Sequence, residues 1–389
     1  MPKKFIFIDS HPIQYNVQIY SAFSALFPED VLVAYKAIPK GEQYEADFGK
    51  TVSWGIPLLE GYSYTNLDVK PGLAGRLKGF GDVFKLFSEH RPKVVFLHTF
   101  ASPVFPAVLL FSLLFGTRVW LRSDTNDVAF KRTKLKDALR GLLYRALYIR
   151  FDRLFYVGQL NKAHYLSHGA PEKRLTFAPR CVADPIAGLD AAEKRRRRAD
   201  WRRENGIGEQ SLVLMFVGKF IPKKNPGIIF DALRDMAPLD REIVVVMVGS
   251  GPLEADLRRL ADQLAAEKGI RTVFAGFKNQ VELVDCYLGG DMLVLPSLQS
   301  GETWGLVVNE ALQGGQSAVL SNFVGCGPDF SSLERVEIFN ADDPQALGAG
   351  IAQLSHYAPD LDWARPAMAN YSMEAVVRSL AGEWSAVGR

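Results

Sequence analysis

The sequence predicts an α/β protein made of two doubly wound parallel-sheet domains in tandem, facing each other across a cleft. Three observations predict it. Short apolar or β-branched runs alternate with helical stretches, the alternation breaks once in a basic segment, and it then restarts with the same rhythm. Strands of a parallel sheet covered on both faces read as continuous apolar runs, and these do.

In chain order, "FIFI", "VLVAY", "VVFLH", "VWLRS" and "LFYVG" are the expected strands of the first half, with helical spacing over 16–26 and 135–149 between them. After "TFAPRCVADP" comes "AAEKRRRRADWRRENG", which has no apolar run. A basic linker is therefore expected over 186–207, between a first domain at 1–185 and a second at 208–371. The run Lys194 to Arg198 reads as a solvated face and not as a nucleic-acid site, since no aromatic stacking platform accompanies it. The strands of the second half are "LVLMFVG", "IVVVMVGSG", "VFAGF", "MLVLPS" and "SAVLS", each followed by a helix or a glycine turn. The tail, about 372–389, is an amphipathic helix expected to cross back to the first domain.

With 389 residues, 48% of them hydrophobic and 23% charged, the chain is expected to be globular and soluble. Cys181, Cys286 and Cys326 stand at no metal-ligand spacing, which argues for a reducing compartment, with the cytoplasm as default, and against a disulfide framework or zinc site. The start "MPKKFIFIDSHPIQY" lacks the apolar core of a signal peptide. The longest apolar run, 105–116, is shorter than the roughly 20 residues of a spanning helix.

Net charge is only +3, yet residues 1–182 hold 25 Lys+Arg against 15 Asp+Glu. A basic first half points to an anionic partner there, a phosphate-bearing acceptor or a membrane surface; uneven solvated surface is the plainer alternative. Within it, "KRTKLKDALRGLLYRALYIRF" sets Leu135, Leu139, Leu142, Leu143 and Leu147 at helical spacing among basic residues. Such a helix either rests on an anionic membrane or simply covers the sheet.

Four features fall at strand ends in the second half. In "VGKFIPKKNP" a strand ends at Gly218, and Lys219 and Lys224 follow before the next helix, where two ammonium groups can clamp a diphosphate. In "VVMVGSGP", Gly249 and Gly251 allow close approach of a ligand to the backbone. In "VFAGF", Phe277 is placed to line a pocket for a flat base. The fourth is "QSGETWGLVVNEALQGG", with a helix expected to begin near Thr303 or Trp304. The amides of Trp304, Gly305 and Leu306 would be its unpaired donors, suited to a phosphate. A carboxylate beside a phosphate is repelled, so Glu302 and Glu310 should face hydroxyls: Glu310 those of a ribose, Glu302 those of a sugar.

The chain resembles the retaining glycosyltransferases of family 4. Glu302 and Glu310 match the E-x7-E element, Lys219 and Lys224 the phosphate-binding pair, and Gly249 to Pro252 the glycine turn. "HPIQY" (His11 to Tyr15) and "GCGPD" (Gly325 to Asp329) look like a bacterial subgroup acting on surface polysaccharides and glycolipids. The resemblance implies the GT-B architecture of two facing Rossmann-like domains. It also implies a nucleotide-sugar donor, a uridine diphosphate sugar first, with its diphosphate between the lysines and the Glu310 helix. No metal and no other cofactor are implied, because cations and helix amides can stabilise the leaving diphosphate. The only D-x-D, Asp360 and Asp362, reads as solvated surface.

The first domain is then expected to bind a glycan or lipid-linked acceptor, at the inner face of the membrane in the glycolipid case, and no nucleic acid. His11, Gln14, Tyr15 and Asn16 follow the first strand where the family usually has a glycine-rich loop, so they are acceptor candidates or a structural turn. Where many family members carry a histidine, this chain has Asp124, assigned to the reacting sugar or the acceptor hydroxyl, with Arg122 holding it ionised. An internal ion pair is the alternative. His98, ending "VVFLH", is a further acceptor candidate. Two other functions compete with transfer: a GT-B sugar-nucleotide epimerase or phosphorylase, and a non-catalytic nucleotide-sugar-binding subunit of a glycan assembly complex.

Overall fold

The computed structural model describes residues 2–39, 43–45, 50–52 and 57–387. The first domain holds β1 (Phe5–Asp9), β2 (Val31–Tyr35), β3 (Gln43–Glu45), β4 (Lys50–Val52), β5 (Tyr64–Asn66), β6 (Val94–Leu97), β7 (Arg118–Ser123), β8 (Arg153–Tyr156) and β9 (Leu175–Phe177). The second holds β10 (Leu212–Val217), β11 (Ile243–Val248), β12 (Arg271–Gly276), β13 (Met292–Leu295), β14 (Ser317–Ser321) and β15 (Val336–Phe339). Strands β3 and β4 form an antiparallel pair of their own, and the other thirteen make two parallel sheets. Their orders are β5-β2-β1-β6-β7-β8-β9 and β12-β11-β10-β13-β14-β15.

Both orders reverse direction once, beside β1 and beside β10. The crevice outside the carboxyl ends at such a reversal is where an open α/β sheet binds its ligand. Phe5 pairs with both Val31 and Val94, so β1 is fully enclosed. Leu212 pairs with Ile243 and Leu214 with Met292, so β10 is enclosed in the same way. These central strands are buried throughout, which is why their sequences are unbroken apolar runs.

Each sheet carries one apolar core per face. In the first domain one core lies under the helices Leu73–His90, Phe105–Phe115 and Lys134–Tyr148, and the other under the helices Gln14–Leu26 and Met373–Val387. The expected return of the tail is thus present: Trp384 meets Phe5 edge-on at 5.3 Å, and Glu383 accepts from Arg153 at 2.7 Å. None of the described helices is long and apolar enough to cross a membrane.

The basic stretch after residue 190 is solvated on one side only, where Arg195, Arg196 and Arg203 are exposed. It forms the helix Ala191–Glu204, capped by Asp190, with Lys194 and Arg202 buried. Arg198 and Arg202 both reach Asp291 at 2.5 Å, and Lys194 reaches Asp362 at 2.5 Å. Asp362, expected to be free surface, is therefore a structural acid, and the arginines hold this helix on the second sheet. Charge density alone gave no sign of this, because the matching acids lie about 90 to 170 residues away in sequence.

Candidate functional site

The loop between β13 and the helix Leu306–Gln313 is the centre of the cleft. That helix starts at Leu306, later than expected, with Gly305 as its cap at φ +98°. Only glycine takes that conformation without strain, and an added Cβ would also stand 3.0 Å from Val324 and 3.1 Å from Leu295. Among the described residues the amides of Gly305, Leu306 and Val307 donate to no protein acceptor. They are the anion-ready group of a helix start, shifted one residue along from Trp304, Gly305 and Leu306. The Trp304 side chain is itself buried, its indole donating to Asn309 at 2.8 Å.

Lys224 and Glu302 lie at the front of this loop and form an ion pair with each other, and Ser297 donates to the same carboxylate oxygen at 2.9 Å. Deeper along the helix, Glu310 accepts from the Tyr287 hydroxyl at 2.6 Å. Burial pushes its carboxyl up to about 7, while the Tyr287 hydrogen bond opposes that rise. Glu310 lines a cavity of about 380 Å³ together with Gly218, Lys219, Gly249 and Phe277. Five of the expected donor residues thus share one cavity at the carboxyl ends of β10, β11 and β12, whereas Gly251, Lys224, Glu302, Thr303, Trp304, Gly305 and Leu306 are not among its lining. Gly249 has a further reason to be glycine: at φ +141° an added Cβ would stand 1.9 Å from the Gly218 carbonyl oxygen. The close approach is between strand ends of the protein itself, and a Cβ added at Gly251 would likewise stand 2.6 Å from the Phe220 carbonyl oxygen.

The first-domain candidates divide. Gln14 and Tyr15 wall the same cavity as Glu310, so they meet the donor residues and not a separate acceptor pocket. Tyr15 feels Glu310, and burial raises its phenol above the usual range. Asn16 turns away: it is buried and donates to Asp9 at 2.8 Å, beside Tyr20 at 2.7 Å, fastening the helix start to β1. His11 is exposed and bonded to Ser10. His98 is the most suggestive of the group. Both of its ring nitrogens are buried without a hydrogen-bond partner, and burial pushes its pKa down to about 3, so it stays a neutral imidazole.

Among the described residues Arg122 forms no ion pair or hydrogen bond with Asp124, although the two charges feel each other. It is fully buried and donates to the carbonyls of Ala178 and Pro179, tying β7 to the segment that leaves β9. Its guanidinium is thus taken up by the chain that follows β9, two strands away in the sheet, whereas Asp124 lies past the end of β7. Asp124 instead accepts from Thr303 at 3.1 Å across the cleft, with Arg180 Nη2 at 3.9 Å. Arg180 was missed from sequence. Its Nε is buried without a partner, and its carbonyl is held by Asn309 at 3.2 Å. The available signal was a lone arginine just past the carboxyl end of a short strand. Loop 124–130 is further joined to loop 298–303 by Asn126 to the Thr303 carbonyl at 3.1 Å and by Gly301 to the Ala129 carbonyl at 2.7 Å.

Among the described residues one group has the makings of a metal site: Asp127, His164 and His168. Asp127 takes His164 Nδ1 at 2.9 Å and Arg140 at 3.0 Å, and His164 Nε2 meets the Tyr148 hydroxyl at 2.8 Å. The protein itself supplies these partners, Arg140 already provides the cation, and the group is not among the residues lining the donor cavity.

Comparison with known proteins fits this geometry. Residues 197–362 match the family described as "Glycosyl transferases group 1". A D-inositol 3-phosphate glycosyltransferase of Corynebacterium glutamicum (strain R) is 32% identical over 160 residues, 39% of this chain and 37% of that protein. The alignments to this and a second such protein, from Catenulispora acidiphila, span 37% and 47% of those relatives' lengths. Across nearly the whole chain the fold is similar to Anabaena Alr3699/HepE, solved in complex with UDP and glucose, with a TM-score of 0.67 at 13% identity over 98% of this chain and 99% of that one. It is also similar to WaaG, a glycosyltransferase involved in lipopolysaccharide biosynthesis, with a TM-score of 0.60 at 16% identity over 94% and 95%. At such identities these two show the fold alone, which is GT-B.

Proposed function

We propose that the protein is a retaining, metal-independent glycosyltransferase that moves a sugar from a nucleotide-diphosphate sugar, a uridine diphosphate sugar first, to a glycan or lipid-linked glycan of the cell surface. The observation that carries the reading is the convergence at the Gly305 helix start. The amides of Gly305, Leu306 and Val307 have no protein acceptor among the described residues, Val307, Lys219 and Glu310 line one cavity, and Lys224 pairs with Glu302 of the preceding loop, which supports a diphosphate at the helix start and a ribose at Glu310. As the glycosidic bond breaks, negative charge grows on the leaving diphosphate. Preorganised cations and amides favour that charge more than they favour the intact donor, which is the condition for acceleration. Lys224, now paired with Glu302, would turn to the diphosphate and release Glu302 to the sugar. Asp124, across the cleft with Arg180 and His98 near it, would orient the acceptor hydroxyl.

A second reading of the acceptor, a small phosphorylated polyol, is favoured by one observation. A cavity of about 720 Å³ over the carboxyl ends of β2, β5 and β6 is lined by Lys36, Lys70 and Arg76. It suits a phosphate better than a neutral sugar, and the curated relatives are named for an inositol phosphate.

The test is a thermal-shift screen of nucleotide sugars followed by transfer assays with a lipid-linked glycan and with inositol phosphate. A ligand at 100 times its dissociation constant should stabilise by about 2.7 kcal/mol. No shift with any nucleotide sugar would refute the reading, and the acceptor that is consumed decides between its two forms.

A further inference from the structure

Arg180 comes just after β9, in the stretch "TFAPRCVADP" that carries the chain out of the first sheet. Its backbone is fixed on both sides: the amide donates to the Val157 carbonyl at 3.2 Å, and the carbonyl accepts from Asn309 at 3.2 Å. Asn309 belongs to the helix Leu306–Gln313, next to Glu310, and also takes the Trp304 indole at 2.8 Å. Arg180 is thus a first-domain residue fastened to the helix of the donor site.

Its guanidinium, by contrast, has little to hold. Nε is buried without a hydrogen-bond partner, and the ion-pair contact found among the described residues is Asp124 at 3.9 Å, beyond hydrogen-bond distance. A buried N–H that leaves water for no acceptor is destabilising, and native proteins keep few of them. The side chain is 22% exposed, so a ligand in the cleft can reach it. Its donors form a rigid fork that fits two oxygens of one phosphate. Its charge is felt by Tyr15, which walls the donor cavity, and by His98. Asp124 in turn accepts from Thr303, just before Gly305, so one carboxylate separates the guanidinium from the loop that leads to the helix start.

We propose that Arg180 is a catalytic residue of the transfer reaction, a further cation that grips the sugar-linked phosphate of the donor from the first-domain side. The proposal rests on the transfer reading above. Gln14 and Tyr15, which wall the donor cavity on that side, bring no cation, and Arg180 supplies one. In the transfer step the bond from the anomeric carbon to the diphosphate oxygen breaks, and its electron pair stays with that oxygen. The acceptor oxygen bonds the anomeric carbon, and its proton passes to the departing diphosphate. Arg180 stays protonated throughout, and its hydrogen bonds strengthen as the diphosphate gains charge. An acceptor phosphate is a poorer occupant, because the cavity lined by Lys36, Lys70 and Arg76 has cations of its own and Arg180 is not among its lining.

The test is calorimetry on the full chain and its Arg180→Gln and Arg180→Lys variants, with UDP, ADP and GDP, each beside its monophosphate. For the diphosphate that the parent binds best, Arg180→Gln should lose about tenfold to a hundredfold in affinity, the worth of a charged hydrogen-bonded contact. Affinity for the matching monophosphate should be unchanged. Arg180→Lys should keep part of the loss from appearing, since an ammonium brings the charge without the fork. Without nucleotide both variants should melt no earlier than the parent, because the guanidinium gives up no hydrogen bond. An earlier melting point with equal losses for mono- and diphosphate would mean a structural role and overturn the proposal. Equal diphosphate affinity of parent and Arg180→Gln would also overturn it, and would leave the transfer reading standing. So would a variant that loses affinity for inositol phosphate and keeps the nucleoside diphosphate, which would assign Arg180 to the acceptor. If the parent binds none of the three diphosphates, the proposal falls together with the transfer reading.

Discussion

The carboxyl group of Glu310 is the residue on which nucleotide binding should depend most visibly. Burial favours its neutral form and raises its pKa to about 7, so near neutrality the site is a mixture of acid and carboxylate. Ribose hydroxyls donate, so they prefer the carboxylate, and binding must expel the proton from the neutral fraction. The sign follows: nucleotide affinity is at its plateau above pH 7 and falls as pH drops below 7, by up to about tenfold per unit. Calorimetry at pH 6 and 8 in buffers of different ionisation enthalpy measures both the fall and the proton released. Affinity independent of pH across that range would remove Glu310 from the ribose. Glu310→Gln should weaken nucleotide binding at every pH. Asp124→Asn, by contrast, should leave nucleotide affinity unchanged and lose most transfer, since Asp124 lies on the first-domain wall beside Arg180 and faces Thr303 across the cleft. Equal transfer by variant and parent would discard that role.

At the level of elements, the buried strands were legible because each is a run of apolar residues ending at a glycine, proline or polar turn; β2 and β14 match their predicted runs residue for residue. The strands that escaped notice, β3, β4, β5, β9 and β15, have three or four residues, too short to show a period, and the three that belong to the large sheets are edge strands. The donor elements were legible for a related reason: Glu302, Gly305 and Glu310 act through one loop and one helix start, so their relation is local in sequence. Tyr287, Asn126 and Arg180 reach the site only through packing between distant segments, and no spacing betrays them. The glycine turns carry the sharpest prediction at this scale. Gly249→Ala places a methyl group 1.9 Å from a backbone oxygen in a left-handed conformation, and nothing there is flexible enough to yield. It should destabilise the second domain by at least about 3 kcal/mol, read as a lowered midpoint in urea. A variant as stable as the parent would mean that β10 and β11 do not end as described.

Across the whole molecule the two domains are fastened at a second point, away from the donor cavity. Asp329, from the "GCGPD" stretch, accepts the Gln159 amide at 3.0 Å and so caps the helix Gln159–Ser167 of the other domain, and Tyr371 donates to it at 3.0 Å. Gly158 makes room for this contact: a Cβ there would strike Trp304 at 2.3 Å and Asp329 at 2.7 Å. Asp329→Ala should cost about 1 kcal/mol, as losing a helix cap does, and should raise the radius of gyration in solution scattering as the domains separate. An unchanged radius would place the fastening elsewhere, in the 124–130 and 298–303 loops.

In the proposed reaction lysines and helix amides, not a metal, stabilise the departing diphosphate. The measurement that bears on it most directly is nucleotide release from the donor chosen by thermal shift, by the purified parent and Lys224→Ala, each with and without a chelator. The parent is expected to turn over equally in both conditions, and Lys224→Ala to be slower by about a hundredfold, the usual loss when one preorganised partner of a developing anion is removed. Turnover abolished by the chelator and restored by magnesium, or a Lys224→Ala variant as fast as the parent, would contradict it.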